Sequence, residues 1–290
     1  MLARLDLRGA GTDIGDRLPR PDLGGDAPVE AVREILAEVK KRGDAALREY
    51  TERFDGVAVD DLSIGAAALD QALSDTPPRL REALEEARSA ILAYHRGQLS
   101  DDTVHEREGI TVREVRRPVD RVGVYVPGGR APLLSTVLMT AIPARVAGVA
   151  EVVVCSPPGP DGRVPAGILA AAALAGVDEI HPVGGAQAIG ALAYGTESVR
   201  AVDVIVGPGN VYVATAKREV GADGAVGLPA AFAGPSEVVV VADETTPPEY
   251  AAIDLVVQAE HGPDGLAWLI TWSPETIPPP LTQNGPSTMT

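Results

Sequence analysis

Aromatic side chains make up only 3% of the sequence, so a core has to be filled by Ala, Val, Leu and Ile. A single cysteine, Cys155, excludes an intrachain disulfide framework and any zinc site built from several thiolates. Basic residues are also scarce. The 25 Lys and Arg stand against 41 Asp and Glu, a net charge of −16, which leaves no positive field for nucleic acid or an anionic membrane surface. No apolar run reaches the roughly 18 residues of a membrane span, and MLARLDLRGAG lacks the apolar centre of a signal peptide. A soluble, cytoplasmic protein is expected. No G-x-G-x-x-G follows a strand-like run, no G-x-x-x-x-G-K-[ST] occurs, and neither a nucleophile elbow nor a Ser-His-Asp ordering is found.

What is present suffices for a large core: 290 residues, 45% of them apolar, with 31 Gly and 25 Pro as punctuation. From Pro28 to His95 the apolar spacing is helical. It puts Val32, Ile35, Leu36 and Val39 on one stripe, and Leu80, Leu84, Ala87, Ile91 and Leu92 on another. After Val122 the pattern changes to short β-branched runs (VGVYV, EVVVCS, DEIHPV, VDVIVG, SEVVVVAD, LAWLITW) alternating with Ala-rich helical stretches. Strands without polar alternation, joined by helix-length connections, predict an α/β fold of parallel-sheet, Rossmann-like units with an N-terminal helical region. The expected division is a first unit from residues 1–121 and 236–272, an inserted sheet unit over 122–235, and a disordered Pro/Thr/Ser tail over 273–290.

Ligands of such sheets bind beyond the carboxyl ends of the strands. Those turns are rich in small residues: Pro127-Gly128-Gly129, Gly184-Gly185, Gly207-Pro208-Gly209-Asn210 and Gly234-Pro235-Ser236. Tight turns need glycine in any case, but four together suggest a binding edge. Asn210 suits the N-cap of the next helix, either as a cap alone or beside amides that hold an anion such as phosphate. The Tyr125 ring, at a strand end, either lies against a planar ligand or packs in the core. Gln258 and His261, three apart at a helix end, share a face and can converge on one ligand; His261 alone would equally serve the helix C-terminus. A four-coordinate zinc would need two further donors. His95 and His105 read as solvated, and His181 as a structural residue in a strand.

The segments VYVPGGRAPLLSTVLMTAIPARVAG, EVVVCSPP, VGGAQAIGALAYGTESV, VDVIVGPGNVYVATAKREV, AGPSEVVVVAD and DLVVQAEHGPD, in this order, closely resemble the histidinol dehydrogenase family. The resemblance runs to about Trp272. It implies oxidation of L-histidinol to L-histidine through the aldehyde, with two NAD molecules in succession and a zinc ion, at the end of histidine biosynthesis. It also implies a homodimer with sites shared across the interface. It makes Tyr125, Gln187 and Asn210 the NAD contacts, Ser236, Gln258 and His261 the contacts to L-histidinol, and Gln258 and His261 two of the zinc ligands.

Two departures accompany the resemblance. Ala230 stands where the family usually carries Asp, and residues 273–290 hold no counterpart of the family's catalytic Glu-His pair or its remaining Asp and His zinc ligands. The first reading is therefore a histidinol dehydrogenase with an incompletely encoded site. The second is a noncatalytic truncated product that keeps nucleotide binding or a dimerisation surface, and a third is a phosphosugar-binding α/β protein. Apolar surface is expected to be exposed near the C-terminus.

Overall fold

The computed structural model describes residues 27–128, 132–229, 237–260 and 265–272, together with 5, 7, 9, 11 and 14–18. Residues 26–233 form one compact unit, and residues 1–25 with 234–290 form a second.

The first unit begins with α1 (Val29–Arg42) and α2 (Asp44–Asp55). The apolar stripe of α1 is buried as its spacing requires, at Val32, Ile35, Leu36 and Val39. Helix α2 ends at Gly56, whose left-handed conformation turns the chain back. A two-residue strand β1 (Ile64–Gly65) and the short α3 (Ala66–Ser74) follow, then α4 (Pro78–Arg96), which starts with proline in its first turn. On α4 the stripe is buried at Leu84, while Ala87, Ile91 and Leu92 are partly buried and pack against the core. Leu80 departs from the expected stripe: it is exposed, in the first turn of the helix. A hairpin of β2 (Thr103–Arg107) and β3 (Ile110–Glu114) has every residue exposed, so His105 is solvated on a strand.

The sheet proper is β4 (Arg121–Tyr125), β5 (Glu151–Cys155), β6 (Glu179–His181) and β7 (Val204–Val206), linked by α5 (Leu134–Val146), α6 (Ala166–Ala175) and α7 (Gly185–Tyr194), with α8 (Val211–Ala222) after β7. Its order is β1-β6-β5-β4-β7; all pairings are parallel except that of the edge strand β1 with β6. Successive side chains enter two separate cores. Val122, Val124, Val152 and Val154 join α3–α6 on one face, and Tyr125, Val153 and Cys155 join α1, α2, α7 and α8 on the other. Both faces are covered, which is why these strands show no polar alternation. Each fully buried Val contributes about 1.5–3 kcal/mol relative to exposure. At the amino ends of the strands, buried Arg121 is paired with Glu151 and Glu179. His181 is fully buried, its Nδ1 2.7 Å from the Leu62 carbonyl, and burial lowers its pKa so that it stays neutral.

The second unit contains a parallel pair, β8 (Glu237–Val241) and β9 (Leu266–Ile270), connected through α9 (Pro248–Ala259). Val239, Val241, Ile253, Val256, Ile270 and Trp272 are exposed here, the apolar surface expected near this end of the sequence. Among the described residues no helix is long and apolar enough to cross a membrane.

Candidate functional site

The chain adds β5 and β6 on one side of β4 and then crosses to add β7 on the other, so the strand order reverses between β4 and β7. At such a switch point the following turns diverge and leave a crevice beyond the carboxyl ends. A crevice of about 780 Å³ lies there. Its walls come from the turn after β4 (Pro127, Gly128), the turn after β5 (Ser156–Pro160), the start of α7 (Gly185–Gln187), Asn210 and Tyr212 after β7, and Phe54 and Asp55 at the end of α2. This size suits a small molecule or cofactor.

Two glycines make the crevice possible. Gly207 has φ +98°, and a Cβ there would clash with the Tyr125 carbonyl. Gly185 has φ +63°, and a Cβ there would run into the Gln187 amide. The backbone can thus turn sharply at both helix starts.

Tyr125, Gln187 and Asn210 all line this one crevice. Tyr125 is 3% exposed, packs in the core and also lines the crevice; its hydroxyl accepts the Gly185 N–H at 3.1 Å. Burial, partly offset by that N–H, pushes its pKa up to about 12, so at neutral pH the hydroxyl keeps its proton and can donate. Gln187 is 1% exposed, yet neither Oε1 nor Nε2 has a hydrogen-bond partner. A buried amide left unmade costs about 1–3 kcal/mol, so a ligand able to pair with it would recover that energy. Asn210 does cap α8: its Oδ1 accepts from the Tyr212 and Val213 N–H groups, both at 3.1 Å.

Phe54, Asp55 and Tyr212 were not singled out by the sequence. Asp55 occupies the last position of α2 before the Gly56 cap, a pattern that signals a helix end and nothing more. Lys217, 2% exposed on α8, donates to the Gly207 carbonyl and so fastens the turn that carries Asn210.

Of the other expected site residues, only Gln258 falls among those described. Ser236 and His261 lie outside the described residues, as do Ala230 and 273–290. Gln258 is half-buried in the last turn of α9, in the second unit. Among the described residues no group of three or more His, Cys, Asp or Glu could hold a metal. Cys155 is fully buried, and burial raises its pKa, which keeps it an unreactive thiol.

A parallel sheet with helices on both faces and an open crevice at its switch point define an α/β protein of the doubly wound class. The family model described as histidinol dehydrogenase matches residues 18–279. Among curated relatives, the histidinol dehydrogenase of Methanothermobacter thermautotrophicus is 46% identical over 259 residues, 89% of this chain and 60% of that protein. The one from Pseudomonas putida is 52% identical over 250 residues, 85% of this chain and 56% of that protein. The crystal structure of histidinol dehydrogenase from Elizabethkingia anophelis superposes with a TM-score of 0.79 at 38% identity, covering 89% of this chain and 59% of that one. The chain belongs to the histidinol dehydrogenase family, and it spans a little under three fifths of the length of most of the relatives it matches.

Proposed function

We propose that the crevice binds NAD, and that the chain supplies the nucleotide-binding part of an enzyme oxidising L-histidinol to L-histidine through the aldehyde. The supporting observation is Gln187: a fully buried amide with no partner, in the same crevice as Tyr125 and Asn210, the three positions that the family resemblance makes NAD contacts. The residues fit the group. The Tyr125 hydroxyl donates, the Gln187 amide both donates and accepts, and the start of α8 turns the positive end of a helix toward the crevice, where a pyrophosphate is favoured. When bound, NAD accepts the hydride that the alcohol and aldehyde give up. The residues of this chain hold and orient it, and the apolar walls keep water from the reacting end.

Ser236, Gln258 and His261 are proposed as contacts to L-histidinol, and Gln258 with His261 as zinc ligands, by the resemblance alone. By the same resemblance we propose a cytoplasmic homodimer, and residues 1–121 with 236–272 as one domain of the longer family proteins.

A second reading has an observation of its own. Every described wall of the crevice comes from residues 26–233, which supports a chain that binds the nucleotide without turnover. Calorimetric titration of the chain with NAD, followed by an NADH-formation assay with histidinol and added zinc, distinguishes the readings. Saturable NAD binding that weakens about tenfold in Gln187→Leu is expected, from loss of one or two buried hydrogen bonds. Absence of NAD binding overturns both readings; binding without NADH formation favours the second.

A further inference from the structure

We propose that Asp55 is the group that reads the ribose of the bound dinucleotide and rejects a 2′-phosphate, selecting NAD over NADP. This rests on the nucleotide reading of the crevice and deepens it. In many dinucleotide-binding sheets this task falls to an acid about 20 residues beyond a glycine fingerprint, at the end of the second strand. This chain has no such fingerprint, and its second parallel strand ends in Cys155-Ser156-Pro157, with no acid in the crevice wall it forms. The acid comes instead from outside the sheet. Asp55 is the last residue of α2, and the left-handed Gly56 ends the helix where this carboxyl meets the crevice.

Three observations point to a ligand for it. Its Oδ2 is buried and has no hydrogen-bond partner, an arrangement that is costly unless something completes it. It is the only charged residue among the described walls. The unpartnered Gln187 amide and the Tyr125 hydroxyl line the same crevice, so the carboxylate belongs to a polar set rather than to a stray surface position. A vicinal diol offers two O–H donors to one carboxylate, whereas a 2′-phosphate brings like charge against it.

The test is calorimetric titration of the full chain and its Asp55→Asn variant with NAD, NADP and the hypoxanthine analogue of NAD. Asparagine keeps shape and volume, and thermal melting of both proteins checks that the fold is retained; Asp55→Ser serves as a second variant. The unaltered chain should prefer NAD, and Asp55→Asn should narrow the NAD-to-NADP affinity ratio by about tenfold or more. An unchanged ratio while NAD still binds overturns this proposal alone. So does a loss seen with NAD but not with the hypoxanthine analogue, since the carboxylate would then be reading the adenine amine. Failure of the unaltered chain to bind NAD overturns the nucleotide reading and this proposal together.

Discussion

Lys217 shows how a single side chain can be costly to bury and still be retained. Its ammonium is 2% exposed, no carboxylate of the described residues pairs with it, and its hydrogen bond goes to the Gly207 carbonyl. Burial brings its pKa down from 10.5 to about 8. Folding therefore favours the neutral amine. Between about pH 8 and 10.5 the unfolded chain binds more protons than the folded one, so this residue makes stability rise with pH across that window and is neutral to pH below it. The rise should be on the order of 1–3 kcal/mol in urea unfolding. It should disappear in Lys217→Met; an unaltered slope in that variant would show that other groups cause it. Residues of this kind are the least legible in sequence. Tyr125, Gln187 and Asn210 could be named through the family resemblance, because they sit in or beside recognisable glycine-containing motifs. Asp55 could not, since a carboxylate before a helix-ending glycine looks like any other, and only the approach of α2 to the sheet gives it a role.

The element that joins structure to binding most directly is the start of α8. Asn210 was open to two roles, cap or anion-site residue, and it is observed as a cap. Removing the cap with Asn210→Ala should cost about 1 kcal/mol of stability. Asn210→Asp keeps an acceptor for both N–H groups and places a negative charge favourably at the helix start, so its melting temperature should match or exceed that of the parent. That same charge opposes a pyrophosphate. NAD affinity should therefore fall in Asn210→Asp even though stability does not, and equal NAD binding by the two proteins would show that no anion sits there. Among elements, legibility followed length. The 14-residue α1 was readable from its stripe, whereas β1, two residues long, has no period to read. The antiparallel edge it adds to the sheet was not foreseen for the same reason.

For the whole molecule, the parallel sheet was legible because two covered faces force uninterrupted Val and Ile runs in β4, β5 and β7. The second unit carries a similar run, VVVV in β8, with a different outcome. Among the described residues only β9 pairs with it, and Val239 and Val241 are exposed, as are Ile253 and Val256 on α9. A two-stranded sheet with uncovered apolar side chains is marginal in water, while the five-stranded sheet closes a core on both faces. Backbone amides of β4, β5 and α7 should accordingly exchange with solvent only through global unfolding. Those of 237–241, 248–259 and 266–270 should exchange orders of magnitude faster, through local opening. The exposed valines should also bind an apolar dye under native conditions. Protection of residues 248–259 equal to that of β4 would mean that the apolar face is covered in solution, and mass measurement of the same sample would then show whether a second copy of the chain covers it.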